Sequence, residues 1–312
     1  MEKDVSLADF LAEKKVDHDL AELIKLIVSQ AIPIRQEFPH RVGEAGTKNK
    51  YGEDQKALDV WVNDLLTNKM LESGLVKMVV SEELPEPVYS KGQKGKFNVA
   101  MDPLDGSSNV HSNNIFGTII GIYNSKDKPG LGRKQVAALY KLYGPSTTLV
   151  LTVGNGVFEF VKGRKSNTNE FILLHSDIKF PEPKIYGVGG NPDKWIPEFD
   201  VFVRLLRNKG LKNRYGGSFV GDFNQILHHG GFFGYPATID KPKGKLRLIF
   251  EGNPMALIAE QAGGSSSCGS KNLLDIDPIN MDSRIPLYIG NKELIQSLEE
   301  IFKACKDARE YY

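Results

Sequence analysis

The sequence predicts an α/β fold, α+β in character, with two sheet-containing halves. Three observations carry this. The chain has 312 residues, more than one simple core needs, since domains usually run to about 100–200 residues. Helical and extended periodicities alternate along it. Phe180 to Pro183, with prolines at positions 181 and 183, reads as a break between a first half, 1–181, and a second, 182–312.

In the first half, Leu20, Leu23, Ile24, Ile27, Val28 and Ala31 recur at helical spacing. Asp19 to Phe38 therefore reads as an amphipathic helix that Pro33 bends or ends early. Arg41 to Tyr51 is rich in glycine and lysine and reads as a mobile loop. Gln55 to Glu72 is helical again, with Leu58, Val62, Leu65 and Leu66 on one face. Val76 to Val80 is a short buried strand ending in Ser81-Glu82-Glu83, and Leu84 to Gly95 a surface loop. Lys96 to Met101 is a second strand, closing on Asp102, and Phe116 to Tyr123 a third. Val136 to Tyr143, Thr147 to Val153 and Val157 to Val161 are separated by turn residues and suggest an antiparallel meander.

The second half opens with a strand at Ile185 to Val188. Helices follow near Trp195 to Asn208 and at Phe219 to His229. Asn253-Pro254 marks another helix start, with asparagine capping and proline in the first helical position. That helix runs to Gln261, and Gly263-Gly264 end it. The last helix is Lys292 to Ala304.

Bulk composition excludes several classes. The chain is 40% hydrophobic and 25% charged with a net charge of +1, so nothing draws it to nucleic acid or an anionic membrane. Cys268 and Cys305 are too few for a disulfide framework and lack the clustering of a zinc site; they read as free thiols. Met1 to Val16 has no apolar stretch of a signal peptide. No apolar run approaches the roughly 20 residues of a membrane helix. The expectation is a soluble, cytoplasmic protein.

The chemistry concentrates in Asp102-Pro103-Leu104-Asp105-Gly106-Ser107-Ser108. Two carboxylates close together at a strand end are hard ligands that suit Mg²⁺. Gly106 lets a ligand approach the backbone, and the amides and hydroxyls of Ser107 and Ser108 can face a phosphate. On composition alone such a segment is more often simply a turn. Further acids shift the balance. Glu82 and Glu83 end the preceding strand, where ligands of open α/β sheets collect. Adjacent residues of an extended chain point to opposite sides, so one can bind metal while the other orients water. Glu251 precedes the helix at Asn253 and can reach the same metal. Lys241, Lys243, Lys245 and Arg247 make a plausible phosphate collar; their bland alternative is a solvated basic edge. His228-His229 read as structural or surface groups, since adjacent helical residues face different ways.

DPLDGSSN, from Asp102 to Asn109, resembles the signature of the class I fructose-1,6-bisphosphatases within the lithium-sensitive, metal-dependent sugar and inositol phosphatase superfamily. SEE at Ser81 to Glu83 is similar to that family's upstream metal motif. NRYGGSFVGD (Asn213 to Asp222), GGFFGYPA (Gly230 to Ala237) and KGKLRLIFEGNPMALIAEQAGG (Lys243 to Gly264) follow in the family's order. The resemblance covers about Leu7 to Ile301, and the ordered set is far more specific than any one motif.

The resemblance implies a layered αβαβα sugar phosphatase fold, with metal motifs and regulatory-type helices in the first half and sugar-phosphate residues in the second. It implies Mg²⁺-dependent hydrolysis of the 1-phosphate of fructose 1,6-bisphosphate, a gluconeogenic step. Several Mg²⁺ ions per site, replaceable by Mn²⁺, would be held by Glu82, Glu83, Asp102, Asp105, Glu251 and the Leu104 carbonyl. Asp59 and Glu83 would orient and deprotonate the attacking water. A loop acid, Glu53 or the neighbouring Asp54, would assist. Asp105, Gly106, Ser107, Ser108, Asn191, Arg214, Tyr215, Tyr235 and Lys245 would contact substrate, with Arg214 reaching across a subunit interface of a homotetramer or homodimer.

Rivals are a sedoheptulose-1,7-bisphosphatase or dual enzyme, to which SEELPE and FNQIL have some likeness, an inositol monophosphatase, and a non-catalytic sugar-phosphate sensor. Regulation departs from the animal pattern. Val16 to Ala21 replaces a threonine-rich AMP-binding segment, and Phe97 stands where tyrosine is usual beside Lys96. AMP inhibition is expected to be weak or absent, and no cysteine-bearing redox insert is visible.

Overall fold

The computed structural model describes residues 4–41, 43–48, 54–163 and 170–310. Four helices come first: α1 (Leu7–Glu13), α2 (His18–Ser29), α3 (Ala31–Glu37) and α4 (Ala57–Glu72). Ser6 and Asp17 cap α1 and α2 by accepting from the N–H groups of Asp9 and Leu20. The expected long helix is interrupted at Gln30, just ahead of Pro33, whose ring would strike the carbonyl four residues back. Between α3 and α4, strands β1 (Glu44–Lys48) and β2 (Asp54–Lys56) pair antiparallel, so part of the stretch expected as loop is strand.

The first sheet comprises, among the described residues, β3 (Val76–Ser81), β4 (Val88–Tyr89), β5 (Phe97–Asp105), β6 (Phe116–Asn124), β7 (Gln135–Tyr143), β8 (Thr147–Thr152), β9 (Phe158–Lys162) and β10 (Phe171–His175). Their spatial order is β10-β9-β8-β7-β6-β5-β3-β4. β5 to β10 form the antiparallel meander, while β3 and β5 run parallel.

The second half supplies β11 (Ile185–Val188), α5 (Pro197–Asn208), β12 (Lys212–Asn213), α6 (Phe219–His229), β13 (Gly231–Tyr235), β14 (Leu246–Arg247), α7 (Asn253–Gln261), β15 (Ser265–Ser267), β16 (Arg284–Ile285), β17 (Leu287–Gly290) and α8 (Lys292–Glu310). The second sheet is ordered β12-β11-β13-β17-β15, and β14 pairs separately with β16.

Alternation along each strand produces the layering. One face of the first sheet packs Val79, Val99, Ile120 and Leu149 against Leu23, Ile27, Leu58 and Val62 of α2 and α4. Its other face presents Ile119, Tyr140 and Val150 to α6 and α7, which also receive Phe233 and Ile289 of the second sheet. The outer face of that sheet buries Phe232 and Tyr288 against α5 and α8. The order is helix, sheet, helix, sheet, helix, the expected αβαβα arrangement. Burying one such side chain is worth about 1.5–3 kcal/mol, so the halves share an interior of substantial weight. Among the described residues, no helix is long and apolar enough to cross a membrane, and Cys268 and Cys305 are free.

The entry to α7 corrects the sequence expectation. Leu248–Gly252 form a π-helical turn that runs directly into α7. Asn253 is already helical, with φ −63° and ψ −47°, and its side chain donates to the Gly130 carbonyl instead of capping. The other end behaves as expected: Gly263 has φ +82°, and Gly264 N–H returns to the Ala259 carbonyl at 2.8 Å.

Candidate active site

Because β3 and β5 are parallel, their carboxyl ends lie side by side. Glu82 N–H donates to the Met101 carbonyl at 3.1 Å, which sets Glu82 next to Asp102. Pairing of β5 with β6 loses register between Asp102 and Asp105, so both acids lie in an irregular strand end rather than in a turn beyond it. There the Leu104 N–H donates to Asp102 Oδ1 at 2.9 Å. Gly106 turns the chain at φ +78°, and a Cβ there would sit 2.3 Å from Ser218 Cβ, so only glycine fits. Glu251 arrives from the π-helical turn. Ligand oxygens of Glu82, Asp102 and Glu251 lie within 4.8 Å of one another.

Such crowding has an electrostatic consequence. Burial, then the charge of Glu82, pushes Asp102 and Glu251 well above the usual carboxylate range. Burial raises Asp105 to about 7 even though the Val220 N–H, at the start of α6, donates to its Oδ2 at 2.6 Å. Burial and the charge of Glu83 raise Asp59 to about 7. Asp59 Oδ2 accepts from the Lys56 N–H at 3.2 Å, whereas Oδ1 is buried and has no hydrogen-bond partner among the described residues. Buried acids that resist losing protons, offering oxygen alone, fit a hard divalent cation that would hold them ionised.

Arg247 departs from the sequence reading. Lys241, Lys243 and Lys245 are exposed, but Arg247 is buried. Its guanidinium ion-pairs with Glu82, and the Arg247 backbone N–H donates to Glu251 Oε2 at 2.6 Å. It is a partner of the acids, not a member of a solvated collar.

The acids open on a cleft of about 280 Å³ that Leu104, Gly106, Ser107, Ser108, Tyr215, Tyr235 and Lys245 also line. The Lys245 ammonium lies 5.3 Å from the centre of the Tyr235 ring, a cation–π contact. Arg284 lines the same cleft. Sequence reasoning missed it, because only the β14–β16 pairing, Arg247 opposite Arg284, brings it there.

Two expected substrate residues stand outside this lining. Arg214 is exposed. Asn191 is exposed and caps the turn Pro192–Lys194, accepting from the Asp193 N–H at 3.1 Å. Glu53 lies outside the described residues, and Asp54 begins β2. His228 packs beside His175 and places Nε2 3.2 Å from buried Glu159, away from the cleft.

Residues 13–176 match the Fructose-1-6-bisphosphatase, N-terminal domain family, and residues 180–303 match the corresponding C-terminal domain. The fructose-1,6-bisphosphatase class 1 of Methanocorpusculum labreanum is 41% identical over 296 residues, covering 95% of this chain and 91% of that protein. The protein of the same description from Citrifermentans bemidjiense is 47% identical over 259 residues, covering 82% and 78%. The crystal structure of Leishmania major fructose-1,6-bisphosphatase in holo form superposes with a TM-score of 0.90 at 30% identity, covering 97% of this chain and 99% of that one.

Proposed function

The chain belongs to the fructose-1,6-bisphosphatase family, and from that premise we propose how its residues divide the work of the reaction. It is a phosphatase that hydrolyses fructose 1,6-bisphosphate to fructose 6-phosphate and phosphate. The observation that carries the reading is the convergence of buried Asp59, Asp102, Asp105 and Glu251 on a cleft that also holds Lys245 and two tyrosines.

Phosphate monoesters resist hydrolysis because the dianion repels nucleophiles, and the uncatalysed reaction is among the slowest known. Glu82, Glu83, Asp102, Asp105, Glu251 and the Leu104 carbonyl are the residues that would hold several Mg²⁺ ions, or Mn²⁺ in their place. When bound, these ions neutralise phosphate charge and lower the pKa of water.

Asp59 and Glu83 orient the water and take its proton. The raised affinity of Asp59 for a proton supports that assignment: burial, joined by the charge of Glu83, brings it to about 7, a ready proton acceptor near neutrality. Amides of Gly106 to Ser108 brace the phosphoryl oxygens during in-line displacement. Tyr215, Tyr235 and Lys245 grip the sugar and its 6-phosphate, which fixes the reacting end as well as adding affinity. Arg214 serves the cleft of a neighbouring copy in a homotetramer or homodimer; its exposure outside its own cleft supports this role.

The test is phosphate release from fructose 1,6-bisphosphate, sedoheptulose 1,7-bisphosphate and inositol 1-phosphate, with Mg²⁺ present or chelated. Metal-dependent release from the fructose substrate, lost in Asp105→Ala, is expected. Release that survives chelation, or preference for inositol 1-phosphate, would overturn the assignment.

A further inference from the structure

Glu82, Asp102 and Asp105 of the carboxylate cluster lie in the first half of the chain and Tyr215 in the second, and one peptide group ties them together. Gly216 and Gly217 follow Tyr215. The Gly216 N–H donates to Asp222 Oδ1 at 2.6 Å and the Gly217 N–H to Asp222 Oδ2 at 3.2 Å. On the other side, the Gly216 carbonyl accepts from Asn109 Nδ2 at 3.0 Å. Asn114 Nδ2 donates to the same oxygen at 3.1 Å.

Asn109 belongs to the turn Ser107–Val110, immediately downstream of Asp105 and Gly106, and also donates to the Ile115 carbonyl at 2.8 Å. Asp222 lies in the first turn of α6, the helix whose Val220 N–H holds Asp105. The metal-facing acid and the loop bearing Tyr215 are thus referenced to the same helix end. Both clamp residues are buried, and neither lines the cleft.

The residue types suit the task. A carboxylate offers two oxygens to two successive N–H groups, and a carboxamide offers two hydrogens to two carbonyls. Gly216 permits the close approach, since a Cβ there would lie 3.2 Å from Asp222 Oδ1.

We propose that Asp222 and Asn109 are positioning residues that set the span between the carboxylate cluster and Tyr215, and thereby fit the cleft to a sugar bearing two phosphates. This rests on the reaction assigned above. The reacting phosphate meets residues of the 102–108 segment while the distal group meets Tyr215 and its neighbours. Slack in the Gly216 peptide therefore loosens the distal grip and leaves the chemistry at the cluster in place.

Asp222→Asn is isosteric but turns one acceptor into a donor that opposes an N–H. Asn109→Ser shortens the clamp from the other side, so misfolding of one variant leaves the test standing. The readouts are KM and kcat for fructose 1,6-bisphosphate, the inhibition constant of fructose 6-phosphate, and the half-activating Mg²⁺ concentration. KM and the product inhibition constant should rise together by about tenfold, the scale of one lost hydrogen bond to a charged group, with kcat within about twofold and metal activation unchanged. Unchanged KM and product inhibition, or a joint fall in kcat and metal affinity, would overturn the proposal. Wild-type protein inactive on fructose 1,6-bisphosphate would instead remove the reaction on which it rests.

Discussion

Arg247 and Glu82 form an ion pair inside the carboxylate cluster, and the arginine is the more deeply buried partner, with its side chain 5% exposed against 16% for the glutamate. Without a metal, this guanidinium is a nearby positive charge against Glu82, Asp102 and Glu251. Arg247→Met keeps the aliphatic stem and removes that charge. Metal-free protein should lose about 3–5 kcal/mol, the usual cost of stranding one member of a buried pair. Mg²⁺-loaded protein should lose clearly less, because the cation takes over neutralisation of Glu82. Urea unfolding with and without Mg²⁺ measures both, and equal losses would refute the role.

Stability of the metal-free protein should fall as pH rises through the mildly acidic range. Asp59 and Asp105 titrate at about 7 in the fold, against an ordinary value of 3.8. Between those limits the folded state binds more protons than the unfolded chain, so each step up in pH favours unfolding; above about 7 this contribution is flat. Asp102 and Glu251, also held well above the usual carboxylate range by burial, contribute a decline of the same sign. Asp59→Asn should remove one share of the slope, at roughly 1.4 kcal/mol per pKa unit. It should therefore be more stable than wild type at pH 8 without metal while losing activity. Thermal melts in chelator across pH 5 to 8 decide this, and identical slopes for wild type and variant would exclude it.

Gly106→Ala should be damaging well beyond an ordinary glycine substitution. Left-handed backbone costs a non-glycine residue about 1–2 kcal/mol, and the new methyl would lie 2.3 Å from Ser218 Cβ. Relief of that clash must push α6 away from the 102–108 segment. Activity should fall by at least about a hundredfold, the scale expected of a misplacement near 1 Å. Full activity with an unchanged melting temperature would show that the contact yields freely.

AMP should leave the enzyme essentially uninhibited. Lys96 Nζ lies 2.9 Å from Asp17 Oδ2 and 3.1 Å from Asp19 Oδ2 at the start of α2. Both carboxylates are held below their usual range, first of all by their hydrogen bonds to Lys96. An incoming phosphate would have to displace two anions to reach that ammonium and would then face them across a short distance. Rate measurements over an AMP titration check this; submicromolar inhibition would overturn it.

Legibility of the fold followed the range of the interactions. Helix α4, strands β7 to β9 and helix α6 were readable because apolar spacing is a local property that burial then obeys. The pair β14–β16 was not, since strands of 2 residues acquire identity only from the partner they meet. Asn253 misled for a related reason: its side chain finds the Gly130 carbonyl, a distant acceptor that replaces the expected cap.

The sequence by itself determined that acids cluster at the ends of two neighbouring strands, that a glycine turn follows them, and which family the chain resembles. Those features sit within short segments whose spacing is visible in one dimension. Only the tertiary structure decided that Arg247 faces inward to Glu82, that Arg284 shares the cleft, and that Asp222 and Asn109 grip the Gly216–Gly217 peptide between them. Each of these depends on residues brought together from distant positions. Burial at the junction then sets their charge and hydrogen bonding, which no local pattern of residues records.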